Sequence, residues 1–398
     1  MISVDEAIKT VLEQTPRLDK ERVGLEAALG RILAQDVHAD MDLPPFNRAQ
    51  MDGFAVRAAD LNVVPARLRL VGESAAGRGW HDQLKVGEAV RIMTGAPVPV
   101  GADAVVPLEQ THEQVSEVEI FERVVPGQNI TPQAAEARRG TRLLEAGTKI
   151  TVNAVATLAA FGYATLDVGR APRVAVMVTG SELVPVESCP ERDQIRDANG
   201  PMLQCYATLA GGRVERLPLL GDDAKRIAQT LADVSNTYEL LLISGGVSVG
   251  RYDLTKEALG SLGARFFFER VRLRPGKPTV FARLNDALVF GLPGNPVSAA
   301  VTFNLFARTA LLAMQGARSP LLPETRAQLK TKVRGARKRA SLVPARLQTD
   351  EEGRLIAQPL RWGGSSDLVS FAHAEALIFV PEDAELEANS VARILMLP

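Results

Sequence analysis

Only two cysteines, Cys189 and Cys205, occur in 398 residues, and their spacing fits neither a metal-ligand pair nor a redox motif. So little thiol excludes a disulfide framework and points to a reducing compartment. Histidine is scarce as well. The four, His38, His81, His112 and His373, are scattered along the chain, which speaks against a histidine-rich zinc site. Neither sign of charge is in excess: 46 Lys and Arg stand against 47 Asp and Glu. Nothing therefore draws the chain in bulk to nucleic acid or to anionic membrane, and any basic site must be local. No apolar run reaches membrane-spanning length, and the N-terminus shows no signal-peptide pattern of charge followed by an apolar stretch. A cytoplasmic protein with no nucleic-acid or membrane partner is expected.

What is present is ample core material. Hydrophobic residues make up 46% and charged residues 23%, over a length that calls for about two to four domains. Ser3 and Glu6 form a capping box ahead of a predicted helix over 3–14, and 25–33 reads as a second short helix. Short β-like runs separated by turns fill 62–125, which suggests a small, mainly β domain. Past Pro172 the rhythm becomes strand and helix in alternation: strands at 173–178, 214–219 and 240–244, helices at 201–209 and 222–234. Such alternation implies right-handed βαβ units and a parallel sheet. Strands at 264–274, 279–283 and 287–291 precede a long helix over 296–315, and the last eighty or so residues read as a small β barrel or sandwich.

Chemistry concentrates in the α/β stretch. The apolar run Leu240 to Ile243 opens into Ser244-Gly245-Gly246-Val247-Ser248-Val249-Gly250 and ends on Asp253. A glycine-rich turn at a strand's carboxyl end is where an α/β sheet holds ligands, and its N–H groups and hydroxyls suit an anion. It lacks the Lys of a P-loop and the spacing of a dinucleotide fingerprint. A tight turn with no ligand would carry the same glycines. Glu182 follows the first strand, Asp222 and Asp223 the second and Asp253 the third, so consecutive strands deliver acids to one sheet edge. Clustered carboxylates repel unless a divalent cation sits among them, and Mg²⁺ prefers oxygen ligands. Asp222 acting as a helix N-cap is the plainer alternative.

In Arg270-Val271-Arg272-Leu273-Arg274-Pro275-Gly276-Lys277-Pro278, a strand would put three guanidiniums on one face. With Lys277 they suit a phosphate or other oxyanion. Gly291-Leu292-Pro293-Gly294-Asn295-Pro296-Val297-Ser298-Ala299 joins a strand to the long helix, with Pro296 at a first helical position and Asn295 able to cap. The helix N-terminus attracts anions.

These motifs occur in this order with Thr179-Gly180-Ser181-Glu182-Leu183, Met51-Asp52-Gly53-Phe54-Ala55-Val56 and Met93-Thr94-Gly95-Ala96-Pro97. Together they resemble the molybdopterin molybdenumtransferases, the MoeA family, related to the E domain of gephyrin. The resemblance implies a multidomain α/β plus β fold. It comprises an elongated N-terminal domain (1–45 and 140–170), an inserted mainly β domain (46–139), a parallel-sheet α/β molybdopterin-binding domain (171–318) and a C-terminal β barrel (319–398). It implies a homodimer with the site shared between chains. Adenylylated molybdopterin and molybdate are the expected substrates, Mg²⁺ the cofactor and AMP a product. Contact with the molybdopterin adenylyltransferase and with molybdoenzyme chaperones is a further expectation.

Carried over motif by motif, the expected catalytic residues are Asp52, Thr94, Glu136, Glu182, Asp222 and Asp253, with Glu182, Asp222 and Asp253 also holding metal. Asp52 and Thr94 would face the other acids from the partner chain. The expected substrate-binding residues are Ser244, Gly245, Gly246, Ser248, Arg270, Arg274, Lys277, Pro278, Pro293, Asn295, Pro296, Ser298 and Ser370. Ser370 closes a Gly/Ser run from Gly363 that resembles, more loosely, the family's run near the molybdate site. One departure stands out. The family reads Gly-Gln-Asn-Ile, three residues, then Gly-Glu-Asp; here Gly127-Gln128-Asn129-Ile130 leads to Ala134-Ala135-Glu136. Two other readings stand beside molybdenum insertion: a tungsten-inserting paralogue, and a non-catalytic molybdopterin-binding scaffold.

Overall fold

The computed structural model describes residues 1–246, 254–361 and 363–398. The chain divides into two compact units, one of Met1–Gln35, Ala146–Val155 and Thr165–Pro398, the other of Asp36–Glu145 and Ala156–Ala164.

The first unit is built on a six-stranded sheet in the order Arg213–Arg216, Arg173–Val178, Leu240–Ser244, Ala287–Leu292, Val280–Leu284, Arg265–Phe268. Its central strand, Leu240–Ser244, is buried throughout and apolar up to its last residue because both faces are covered. Leu240 and Leu242 point into one core with Val174, Val176 and Phe290, while Leu241 and Ile243 enter another with Ala175, Met177 and Val289. Helices Val4–Gln14 and Asn199–Leu209 and the stretch Pro296–Met314 cover the first face; Ala224–Val234 and Leu254–Ser261 cover the second. The capping box at Ser3 and Glu6 is formed.

Several expectations change. The sheet is mixed, since Val280–Leu284 runs antiparallel to both of its neighbours. Only Asn285 and Asp286 separate it from Ala287–Leu292, and so short a connection makes a hairpin, never a parallel crossover. The predicted helix over 25–33 shrinks to a single 3₁₀ turn, Glu26–Ala28, closed off by Gly30 at φ 78°. The long helix passes through a π-helical segment, Phe303–Ala307. There the Thr302 hydroxyl donates to the Ser298 carbonyl at 2.8 Å and Asn304 Nδ2 to the Ala300 carbonyl at 2.9 Å, side-chain bonds that compete with the regular ladder. By length and composition Pro296–Met314 could cross a membrane, contrary to expectation, but 89% of its apolar window is buried within the protein.

At the C-terminal end of this unit five strands close into a barrel. Ala340–Thr349 pairs with both Leu355–Pro359 and Ala376–Val380, and Glu324–Leu329 and Val391–Met396 complete the ring. Its interior holds Leu329, Ala345, Ala357, Ile378 and Ile394.

The second unit carries its own six-stranded sheet, ordered Ala104–Pro107, Gly53–Val56, Glu88–Ile92, Ala66–Ser74, Glu117–Ile120, Thr111–Glu113. Phe54, Val56 and Val106 fill one face and Ala55, Val90 and Val105 the other.

Candidate functional site

A cleft of about 710 Å³ lies at the carboxyl edge of the parallel strands of the first unit. The sheet delivers its wall residues turn by turn. After Arg173–Val178 come Thr179, Gly180 and Glu182; Asp222 follows the neighbouring strand; Ser244, Gly245 and Gly246 follow the central one; Pro293 to Pro296 follow the next. Glycine is required in the central turn. Gly245 has φ 97°, and a Cβ there would stand 2.0 Å from the Thr179 carbonyl oxygen; at Gly246, with φ 62°, it would meet Thr255 Oγ1 at 2.9 Å. The glycines thus let the turn pack directly on Thr179 and Thr255, with no side chain of its own added to the cleft wall.

Two of the three expected acids share this cleft. Glu182 and Asp222 are both exposed, and neither has an ion-pair partner among the described residues. Asp222 is held in place from below: its backbone N–H donates to Ser181 Oγ at 3.1 Å, and Ser181 N–H returns a bond to Asp222 Oδ2 at 3.3 Å. The helix cap belongs to Asp223, which accepts from the N–H groups of Lys225 and Arg226 at 2.9 and 3.2 Å, so Asp222 is not spent on capping. Asp253 and Ser248 lie outside the described residues. Among the described residues no three His, Cys, Asp or Glu side chains converge as a ready metal site. Glu182 and Asp222 nonetheless make an all-oxygen donor pair of the kind Mg²⁺ takes.

The basic run behaves differently from expectation. Only Leu273–Arg274 is strand. Val271 N–H bonds the Lys277 carbonyl and Arg272 N–H the Ile2 carbonyl, so the segment folds back on itself instead of pairing along its length. Alternation persists, with Val271 and Leu273 buried and Arg270 and Arg274 exposed, while Arg272 is paired with Glu382 at 3.0 Å. Arg270, Arg274 and Lys277 do not line the cleft; Pro278 does.

At the fourth turn Pro296 opens the helix, but Asn295 makes no capping bond with its side chain. Its Nδ2 donates instead to Ser365 Oγ at 2.7 Å, tying the Gly/Ser run to the cleft, which Ser366 also lines. Ser298 is buried and off the wall. Ser370 sits beside Asp367, whose carboxyl is held below the usual range by the N–H groups of Gly363 and Ser370 and by the Ser370 hydroxyl.

In the second unit the structure brings Asp52 and Thr94 together. Asp52 Oδ1 accepts from Thr94 N–H at 2.6 Å and from its hydroxyl at 2.7 Å, and these bonds lower the Asp52 pKa. Glu136 Oε1 stands 3.5 Å from Arg48 Nη2, and Ala134, where the family places glycine, takes φ 61°.

The motifs gave no role to Thr179, although they included it, and passed over Asn199; both are buried on the cleft wall, each with a side-chain oxygen that has no hydrogen-bond partner among the described residues. Asp197-Ala198-Asn199-Gly200 carried a signal: turn-type polar residues immediately before a helix at the functional sheet edge.

A doubly covered α/β sheet with a polar cleft at its carboxyl edge, continued by a closed barrel and accompanied by a separate β unit, defines a multidomain α/β enzyme architecture. Models of known families match it in three consecutive parts. These are the MoeA N-terminal region (domain I and II) over 2–162, a probable molybdopterin binding domain over 175–313, and the MoeA C-terminal region (domain IV) over 326–397. The chain belongs to the MoeA family. It is 35% identical to a molybdopterin molybdenumtransferase of Bacillus subtilis, covering 100% of this chain and 94% of that protein. It is 34% identical to one of Staphylococcus epidermidis, over 96% of this chain and 91% of that protein. The crystal structure of a molybdopterin biosynthesis MoeA protein from Pyrococcus horikoshii superimposes with a TM-score of 0.86 at 29% identity, each chain covered fully.

Proposed function

We propose that the chain inserts molybdenum from molybdate into adenylylated molybdopterin, releasing AMP and forming the molybdenum cofactor. The observation that carries this reading is a single cleft, in a chain of this family, that combines two carboxylates without ion-pair partners among the described residues and a glycine turn that adds no side chain to the wall. Phosphate oxygens of the substrate rest against the Gly245-Gly246 turn and the start of the Pro296 helix. A water oxygen adds to phosphorus as the bond to the AMP oxygen breaks; Asp222 or Glu182 accepts the proton that the water sheds. Mg²⁺, when bound, would neutralise charge on the phosphate oxygens, and Glu182 and Asp222 are the residues that would hold it. Ser370 and the 363–366 segment belong to the molybdate side, and exposed Arg270 and Arg274, with half-buried Lys277, supply attractive charge at longer range. The active form is a homodimer in which Asp52 and Thr94 serve the partner's site. Two free, exposed cysteines suit a reducing, cytoplasmic setting.

The test is to incubate the purified protein with adenylylated molybdopterin, molybdate and Mg²⁺, following AMP release and reconstitution of an apo-molybdoenzyme. Release of AMP with active cofactor is the expected result. Tight binding with no AMP would leave only the scaffold role, and neither binding nor AMP would end the proposal. Repeating it at low, equal molybdate and tungstate decides the metal.

A further inference from the structure

Asn199, the first residue of the helix Asn199–Leu209, is only 7% exposed. One N–H of its amide donates to Ser244 Oγ at 2.8 Å and the other to the Gly294 carbonyl at 2.7 Å. The Ser244 hydroxyl in turn donates to the Pro293 carbonyl at 3.4 Å. The bonds therefore form a closed circuit that leaves the 293–294 turn, passes through Asn199 and Ser244, and returns to the same turn. Where the two turns meet they do so backbone to backbone: a Cβ built on Gly294 would stand 3.7 Å from Gly245 Cα.

Asn199 Oδ1 is buried without a hydrogen-bond partner among the described residues, a cost that an apolar side chain would avoid. What asparagine supplies is two donors in one rigid plane; a serine has one, and an ionised aspartate none. We infer that Asn199 is a positioning residue of the cleft, its amide tying the Ser244–Gly246 and Pro293–Pro296 turns together so that they present one fixed wall to a phosphate-bearing ligand. That this ligand carries phosphate and is a molybdopterin rests on the function proposed above; the tie between the turns does not.

Inorganic pyrophosphate titrated by calorimetry probes that wall directly, and the KM for adenylylated molybdopterin probes it in turnover. Asn199→Ala, losing both donors, should weaken each about tenfold or more, with kcat within about threefold of wild type. Asn199→Asp turns a carboxylate toward the Gly294 carbonyl and should be equally weak at pH 8. It should recover toward wild type at pH 6, because a buried carboxyl is readily protonated and then regains one donor. Wild type should show no such recovery. Ser244→Ala keeps the tie to Gly294 and should fall between, at about three- to fivefold; it also serves if the Asn199 variants fold poorly. Wild-type affinity in both Asn199 variants at both pH values would overturn the inference, as would failure of the wild type to bind pyrophosphate. If the wild type binds pyrophosphate but never releases AMP, the function proposal fails while Asn199 is still decided by the variants.

Discussion

The two units use acids in opposite ways. On the sheet edge of the first, Glu182 and Asp222 face a cleft with no cation paired to either. In the second, Asp52 Oδ1 accepts two bonds from Thr94, and Glu136 stands beside Arg48. An unpaired carboxylate can bind a cation or take a proton; an engaged one holds geometry until something displaces its partner. The sharpest way to break this contrast is Asp222→Asn, which keeps shape and removes charge. We expect AMP release to fall about 10²- to 10⁴-fold with the melting temperature nearly unchanged. A rate within a few-fold of wild type would remove Asp222 from the chemistry.

The turns differ as the acids do. In the first unit, Gly245→Ala drives a methyl to 2.0 Å from the Thr179 carbonyl oxygen in an already left-handed backbone. We expect about 2–4 kcal/mol of destabilisation, with pyrophosphate binding lost. In the second, Gly95 beside Thr94 has a left-handed φ of 82°, but a Cβ added there would meet nothing within 4 Å. Gly95→Ala should therefore cost only the backbone term, about 1–2 kcal/mol. Equal losses in the two variants, read by denaturant unfolding, would show that crowding at Gly245 does not matter.

How legible the sequence was follows the same division. Strands buried on both faces announce themselves, because each turns alternate apolar residues to two cores; Leu240 to Ile243 could hardly be anything else. That Glu182 and Asp222 reach one sheet edge was legible too, since βαβ alternation puts the turns after parallel strands at the same edge; the strand order itself was not. The basic run misled because alternation survives in a segment whose hydrogen bonds go to Ile2 and Lys277. Asn199 stood in a legible turn, but its tie between the two turns was not legible, for another reason. Its partners Ser244 and Gly294 lie 45 and 95 positions away, and only the folded sheet brings them to one amide.

Acid titration sharpens the comparison within the first unit, where Glu239 is an engaged carboxylate far from the unpaired kind. Burial works to raise its pKa, but hydrogen bonds from the Arg173 side chain and backbone and from Arg170 outweigh it and hold Glu239 at about 2, against an ordinary 4.5. A depressed pKa contributes stability that is fully present above pH 4.5 and is lost as the pH falls from there through about 2. Taken whole, that shift would be worth about 3 kcal/mol. The Arg173 side chain is 49% exposed, however, so solvent screening reduces the expected loss in Glu239→Gln to about 1–2 kcal/mol at pH 7. The difference between wild type and variant should vanish near pH 2; one that persists unchanged would mean that packing, not charge, is what the variant removes.

The smallest effect should have the opposite sign. Ala134 occupies a left-handed backbone at φ 61°, at the position where the family pattern has glycine. An alanine there costs about 1–2 kcal/mol relative to its preferred basins. Replacing it with glycine relieves that strain but gives back about 0.5–1 kcal/mol through the greater freedom of the unfolded chain. Ala134→Gly should thus stabilise the second unit by roughly 0.5–1 kcal/mol, whereas Ala134→Val, bulkier and β-branched, should destabilise it. The backbone at this position also sets where Glu136 meets Arg48, two residues on. If Ala134→Gly raises stability but leaves turnover unchanged, the loss of glycine from the family pattern is a local matter of backbone strain. If turnover rises with it, the strained turn holds Glu136 away from a working position, and the contrast between free and engaged acids extends to the second unit.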